Sequence, residues 1–512
     1  MGLMKSFERL LGHDWGVHPA DHKRPAADQP VRKLPLPPRV HLMLQQHVGA
    51  AARPIVLVGQ KVKKGELIAA AQGNISAPLH ASTSGTISAI GEITAPHSSG
   101  LPGMAISIDS DGEDAWMETD VPDSPFTLSP ADIAERVAQA GIVGLGGATF
   151  PSSVKLNLGR RSGIDTLIVN GSECEPYLSC DDRLMRDKAD DIVSGIRLML
   201  ISTGAKVAKV GIEDNKPEAI ATMQKAVAGF AEIVVVPVPA RYPMGSDRQL
   251  IIELSGREVP SDARAADVGV IVHNVGTAYA VQQAVCLGRP LIGRLMTLNG
   301  GAAATPGNYE VLFGTLISDL IALAGGQRNG KPGEIAKLVM GGPMMGSILP
   351  HTLVPVVKGT SGILLLNAGE AAESESEACI RCGRCIKACP MGLLPLEMSA
   401  RIRNDDMDGA SNLGLADCIA CGCCAYVCPS HIPLVQYFYH AKGDLSERQR
   451  ALLRSEATKK LAQQRQSRLE RAARERAEAA ALRKAQRAAQ QASEAASAAN
   501  EASDAGKQKE PA

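Results

Sequence analysis

Eight cysteines between Cys379 and Cys428 constrain this 512-residue chain more than any other feature. They fall in two copies of one run: Cys379, Cys382, Cys385 and Cys389 before Pro390, then Cys418, Cys421, Cys424 and Cys428 before Pro429. Three thiolates spaced two residues apart wrap a tight turn around one 4Fe–4S cubane, and the fourth, next to proline, reaches the other cluster. The spacing therefore predicts crossed sets: Cys379, Cys382, Cys385 and Cys428 on the first cluster, Cys418, Cys421, Cys424 and Cys389 on the second. Zinc sites use cysteine pairs at longer separations, so the duplicated run selects iron–sulfur over zinc. A cubane changes by one electron, which makes this segment an electron relay. Cys423 fits no ligand position and reads as a spacer.

The other cysteines are Cys174, Cys180 and Cys286. Dense thiols at short spacings, in a chain whose start lacks a signal-peptide pattern, point to metal rather than disulfides and to a reducing compartment, the cytoplasm. No run approaches the roughly 18 uninterrupted apolar residues of a membrane helix, so any membrane association is expected through partners. Formal net charge is zero, which argues against nucleic acid. Met1–Ser6 fits the myristoylation pattern literally, a short pattern often matched by accident.

The chain divides into six stretches. Residues 1–38 read as an irregular arm in which His13, His18 and His22 lack the cysteine or carboxylate frame of a metal site. Residues 39–112 alternate short apolar runs with turn signals and look like a lipoyl-type β half-barrel. No lysine lies between Lys64 and Lys155, so the hairpin that would carry a lipoyl or biotinyl group has none to modify. Residues 127–256 alternate helix and strand patterns, as in a Rossmann-like parallel sheet covered on both faces. Ser129 and Pro130 start a helix, Thr166–Val169 is a buried strand, and Glu232–Val238 another. Residues 261–335 form a smaller mixed unit, Leu338–Asn367 return to strand, and 371–440 hold the ferredoxin-like segment. From 446 to 512 the composition turns to Ala, Glu, Gln, Lys and Arg, a helical or disordered tail, polar on all sides and solvated.

A second constellation lies in the middle. Gly144–Phe150 is a glycine-rich turn ahead of Lys155, suited to the close approach of backbone amides to a phosphate. Asn170, Glu173 and Glu175 follow the strand at Thr166, at the carboxyl end where open α/β sheets bind ligands. They could hydrogen-bond a flavin ring or ribose hydroxyls, and a capped turn would use the same residues.

On these motifs the stretch from about residue 30 to 440 resembles the C subunit (RnfC) of the Rnf/Rsx electron-transport complexes, and its middle is similar to the flavoprotein of respiratory complex I. The resemblance implies a multidomain α/β and β fold: half-barrel, Rossmann-like FMN/NADH domain, β-grasp (SLBB-like) unit over 261–335, and two-cluster ferredoxin-like domain. It places Gly144, Gly146, Gly147 and Lys155 in a flavin-phosphate loop. Asn170, Glu173 and Glu175 fall beside flavin and nicotinamide, Gly245 in a glycine–acid motif, and Asn274 beneath the flavin. Leu145 replaces an arginine of the complex I loop and Ser172 an aspartate, so phosphate binding would rely more on Lys155 and backbone amides.

The implied function is electron input to a membrane-bound, ion-translocating NADH/ferredoxin oxidoreductase. NADH would reduce FMN, and FMN would feed the first and second clusters. The implied partners are integral-membrane and iron–sulfur subunits and a ferredoxin-type protein, with the chain peripheral on the cytoplasmic side of the inner membrane. A soluble diaphorase or hydrogenase module, and a flavin-free iron–sulfur scaffold, are the competing expectations.

Overall fold

A computed structural model describes residues 15–159, 163–328, 335–372 and 374–506. His13, the Met1–Ser6 pattern, residues 329–334 of the mixed unit and the last six residues of the tail lie outside them. The chain separates into two units, through Phe438 and from Tyr439.

In the first unit the half-barrel stretch forms two small antiparallel sheets. Arg39–Met43, Pro102–Ser110, Gly85–Thr94 and Lys61–Val62 make one, Arg53–Pro54, Leu67–Ala70 and Leu79–His80 the other. Between them Val40, Leu42, Ile68, Ile87, Ile106 and Ile108 are buried, the inward half of an alternating pattern.

The central sheet is parallel, in the order Ile233–Val238, Val207–Glu213, Thr166–Asn170, Val270–Asn274. Leu167, Ile168 and Val169 are all fully buried, because helices cover both faces of a parallel sheet. Ser129 caps the helix Pro130–Gln139, its Oγ accepting from the Asp132 amide at 3.2 Å. The helix Ala189–Thr203 ends at Gly204 in the left-handed conformation, φ 74°. The sheet contains one strand more than the boundary at residue 256 allows. Val270–Asn274 falls in the stretch assigned to the β-grasp unit, but pairs with Thr166–Asn170. Strand order therefore reverses beside Thr166–Asn170, leaving Asn170 and Asn274 side by side at the carboxyl ends.

The remaining strands form a mixed six-stranded sheet: Arg32–Lys33, Gly307–Leu312, Gly293–Asn299, Gly362–Leu366, Lys337–Met340 and Ser347–Ile348. The arm thus supplies an edge strand, parallel to Gly307–Leu312. His18 and His22 are spent on other contacts, with Nδ1 of His18 against the Ala240 carbonyl and His22 stacked on Tyr177 at 4.8 Å.

Lys358 ties these parts together. Fully buried, it donates from Nζ to the carbonyls of Pro78 in the half-barrel (3.1 Å) and Gly141 ahead of the glycine turn (2.6 Å). Burial pulls its ammonium down to about 7 from the ordinary 10.5. Between those values the unfolded chain holds the extra proton, so stability rises with pH in that window, by up to about 1.4 kcal/mol per unit. Denaturant titrations from pH 7 to 10 should show this slope, and Lys358→Met should remove its share of it.

The second unit is helical as far as Gly506, the end of a helix that begins at Leu434. From residue 446 nearly every side chain is exposed, as the polar composition requires.

Candidate flavin cradle and iron–sulfur centres

The glycine turn is anchored on its rear side. The Gly144 amide donates to the Phe150 carbonyl at 2.9 Å, and the Leu145 amide to Thr277 Oγ1 at 2.9 Å. A Cβ on Gly146 would lie 3.3 Å from that of Asn274, whereas Gly147, at φ 109°, has nothing within 4 Å on that side. Among the described residues, the amides of Gly146, Gly147 and Ala148 donate to no partner. Three consecutive free amides around a left-handed glycine make a nest for an anion, which fits a flavin phosphate.

Asn274 caps the helix Val275–Leu287, its Oδ1 accepting from the Gly276 amide at 2.7 Å while its Nδ2 donates to Asp181 at 2.6 Å. Asn170 donates to the Gly245 carbonyl at 2.8 Å, and the Gly245 amide donates to the Cys174 sulfur at 3.4 Å. Gly146, Asn170, Gly245 and Asn274 therefore stand along one edge, and Gly144 opens the turn that leads to it. Three residues behave differently. The Glu173 carboxylate turns into the fold and accepts from the Asp181 and Asp182 amides at the start of the helix Cys180–Asp187. Glu175 accepts from the amides of Met344 (3.1 Å) and Met345 (2.9 Å), and burial pushes it up to about 7. Lys155 donates to the Val272 carbonyl at 3.1 Å, and its ammonium is pulled down by burial. Burial also raises Asp181 to about 6, with the Glu173 charge adding to it.

Sequence reasoning missed the residues that brace this edge. Lys23 of the arm is buried and donates to the carbonyls of Glu173 (2.8 Å), Glu175 (2.9 Å) and Leu178. The Met344–Met345 turn packs between Glu175 and Gly422. Its signal was the glycine- and proline-rich run Gly341–Gly346, whose long-range partner no local pattern names.

The two cysteine runs adopt one local geometry. Arg381 and Ala420, both at φ 53°, donate their amides to the sulfurs of Cys379 and Cys418 at 3.4 Å. Cys389, Cys418, Cys421 and Cys424 line one pocket with Met391, Pro395 and Phe438. Burial, and then the thiols of Cys421, Cys418 and Cys389, push the Cys424 thiol up. Burial likewise raises Cys385, with Cys382 and Cys428 adding to it. Cys389 of the first run thus lies with the second run's first three cysteines, and Cys428 lies within electrostatic reach of Cys385. Cys379 and Cys382 are exposed, while Cys421 and Cys424 are buried. Four soft sulfurs converging on one apolar cavity, with amides aimed at sulfur, fit a cubane.

Tyr242 joins the two regions. Its hydroxyl donates to the Cys421 carbonyl at 2.7 Å, and the Cys423 sulfur lies 3.8 Å from the Tyr242 carbonyl. Cys423 is thus more than a spacer, being fully buried against Tyr242, Val17 and Ala388.

Together these features define an iron–sulfur flavoprotein. Residues 12–113 match the RnfC barrel sandwich hybrid domain, 137–283 the Nuo51 FMN-binding domain and 378–432 a 4Fe-4S dicluster domain. The chain is 49% identical over 436 residues to the C subunit of the ion-translocating oxidoreductase complex of Rhodobacter capsulatus, covering 85% of this chain and 83% of that one. The C subunit of Pseudomonas aeruginosa is 46% identical, covering 88% of this chain and 58% of that one. The Haemophilus influenzae (strain PittEE) protein is 41% identical, covering 90% and 70%. The chain belongs to the family of C subunits of ion-translocating oxidoreductase complexes. Among the described residues, no helix is long and apolar enough to cross a membrane.

Proposed function

We propose that this chain is the electron-input subunit of an ion-translocating oxidoreductase complex, exchanging electrons with NAD(H) through FMN and two 4Fe–4S clusters. The observation that carries the reading is the Tyr242–Cys421 hydrogen bond of 2.7 Å, which packs the buried cysteine cavity against the edge formed by Asn170, Gly245 and Asn274. FMN, when bound, divides the two electrons of a hydride into the single electrons that a cubane accepts.

Gly146, Gly147 and Ala148 would hold its phosphate, with Asn170, Gly245 and Asn274 positioning the rest. Glu173 shapes the turn by capping the neighbouring helix, and Glu175 fixes the Met344–Met345 turn against the cavity. Cys418, Cys421, Cys424 and Cys389 would hold the cluster nearer the flavin. Cys379, Cys382, Cys385 and Cys428 would hold the outer one, whose exposed sulfurs face an approaching partner. The relay thus runs from the second run to the first, opposite to sequence order. The half-barrel, central sheet, mixed sheet and ferredoxin-like segment act as successive domains, with integral-membrane and iron–sulfur subunits and a ferredoxin-type protein as partners on the cytoplasmic face of the inner membrane.

The test is anaerobic purification of the full chain. Iron and sulfide should each approach about eight atoms per chain, with one FMN, and NADH should bleach the cluster absorbance only when flavin is present. A zinc-only preparation would overturn the iron–sulfur assignment. Loaded clusters that bleach equally well without flavin would overturn the flavin assignment.

A further inference from the structure

The glycine turn offers three amides but no cationic side chain of its own, since Leu145 is apolar and 4% exposed. Lys155 is engaged with the Val272 carbonyl. Directly behind the turn stands Arg294, on the strand Gly293–Asn299 and 9% exposed. Its guanidinium donates to the carbonyls of Leu145 (3.2 Å), Lys358 (2.9 Å) and Leu295 (3.3 Å). No carboxylate forms an ion pair with it among the described residues. Asp181 lies within its electrostatic reach without forming an ion pair, and its carboxylate accepts from Asn274.

Resting on the flavin reading above, we propose that Arg294 is the positioning residue of the flavin-phosphate subsite, charging it through the backbone from behind. A trans peptide directs its C=O and N–H to opposite sides. With the Leu145 carbonyl held by Arg294, the Gly146 amide must face the open side beside Gly147. The guanidinium polarises that peptide and adds a buried positive charge that no ion pair neutralises, which a dianionic phosphate monoester can offset. Lys358, whose carbonyl accepts from Arg294, keeps the guanidinium in place, and a Gly359 Cβ would lie 2.8 Å from Thr149 Cγ2, so the same segment supports the far side of the turn.

FMN and riboflavin differ only in the phosphate, so their affinities for the flavin-depleted, cluster-loaded full chain form the test. In Arg294→Gln, FMN should bind about tenfold to a hundredfold more weakly, while riboflavin affinity changes by less than about threefold. Arg294→Lys, which keeps a charge, should recover part of the discrimination. Equal losses for both flavins would assign Arg294 to general structure or to Asp181, and no loss would show the amides sufficient; either overturns the proposal. Wild-type chain that binds neither flavin takes down the flavin reading and this one with it. Should the Gln variant lose its clusters, phosphorus NMR of FMN on the wild-type chain decides. The phosphate should remain a dianion to well below its free pKa of about 6, and an unshifted titration overturns the proposal.

Discussion

Cys389→Ser should cost the chain the cluster held mainly by Cys418, Cys421 and Cys424, and leave the one led by Cys379. Iron should fall from about eight atoms to about four. Electron paramagnetic resonance of the reduced variant should match Cys421→Ser and differ from Cys382→Ser. Cys428→Ser should show the converse. The ground is geometric, since Cys389 shares a cavity with the three cysteines of the second run while Cys428 acts on Cys385 in the first. A Cys389→Ser spectrum that reproduced Cys382→Ser would mean that each run binds its own cluster, and the crossing would be wrong.

The second large effect is expected at Gly195, in the helix Ala189–Thr203. A Cβ there would lie 1.8 Å from the carbonyl oxygen of Ala278, in the helix Val275–Leu287 that Asn274 caps. The two helices meet backbone to backbone, so even a methyl must drive them apart. Gly195→Ala should therefore cost about 3 kcal/mol or more, seen as an earlier unfolding transition by calorimetry. Asn274 and Thr277 stand next to the collision and support the glycine turn, so FMN affinity should fall as well. A variant with unchanged transition and affinity would show that the helices can separate without disturbing the turn.

The crossed cysteines were legible because the information is local: spacing, a trailing proline and one tight turn. The strand Thr166–Asn170 was legible for a similar reason, as an apolar run too short for a helix. What escaped depends on distant residues. Arg32–Lys33 has no periodicity and becomes a strand only because Gly307–Leu312 offers an edge. The strand Val270–Asn274 was assigned to the following unit, whereas its pairing is with a strand about a hundred residues earlier. Glu173 and Glu175 were read as a pair facing one ligand. Glu173, at φ 49°, instead sends its carboxylate to a helix start, and Glu175 finds amides in a turn that follows far along the chain.

The arm has a consequence for how the molecule is made. The Gly16 amide is held by the Ala388 carbonyl, Val17 exchanges backbone hydrogen bonds with Tyr242, and Arg32–Lys33 wait for Gly307–Leu312. During synthesis this segment leaves the ribosome well before any of those partners exist, so it emerges ahead of them and docks late. Its final seat, at Ala388, lies within the ferredoxin-like segment itself, next to Cys389. Docking of the arm at Ala388 therefore requires the cysteine-bearing segment to be folded onto Tyr242, and Lys23 of the same arm sits over the carbonyls of the acidic turn. One stretch of backbone, Gly16 to Lys23, thereby holds the iron–sulfur segment at one end and the acidic turn at the other, and links the two.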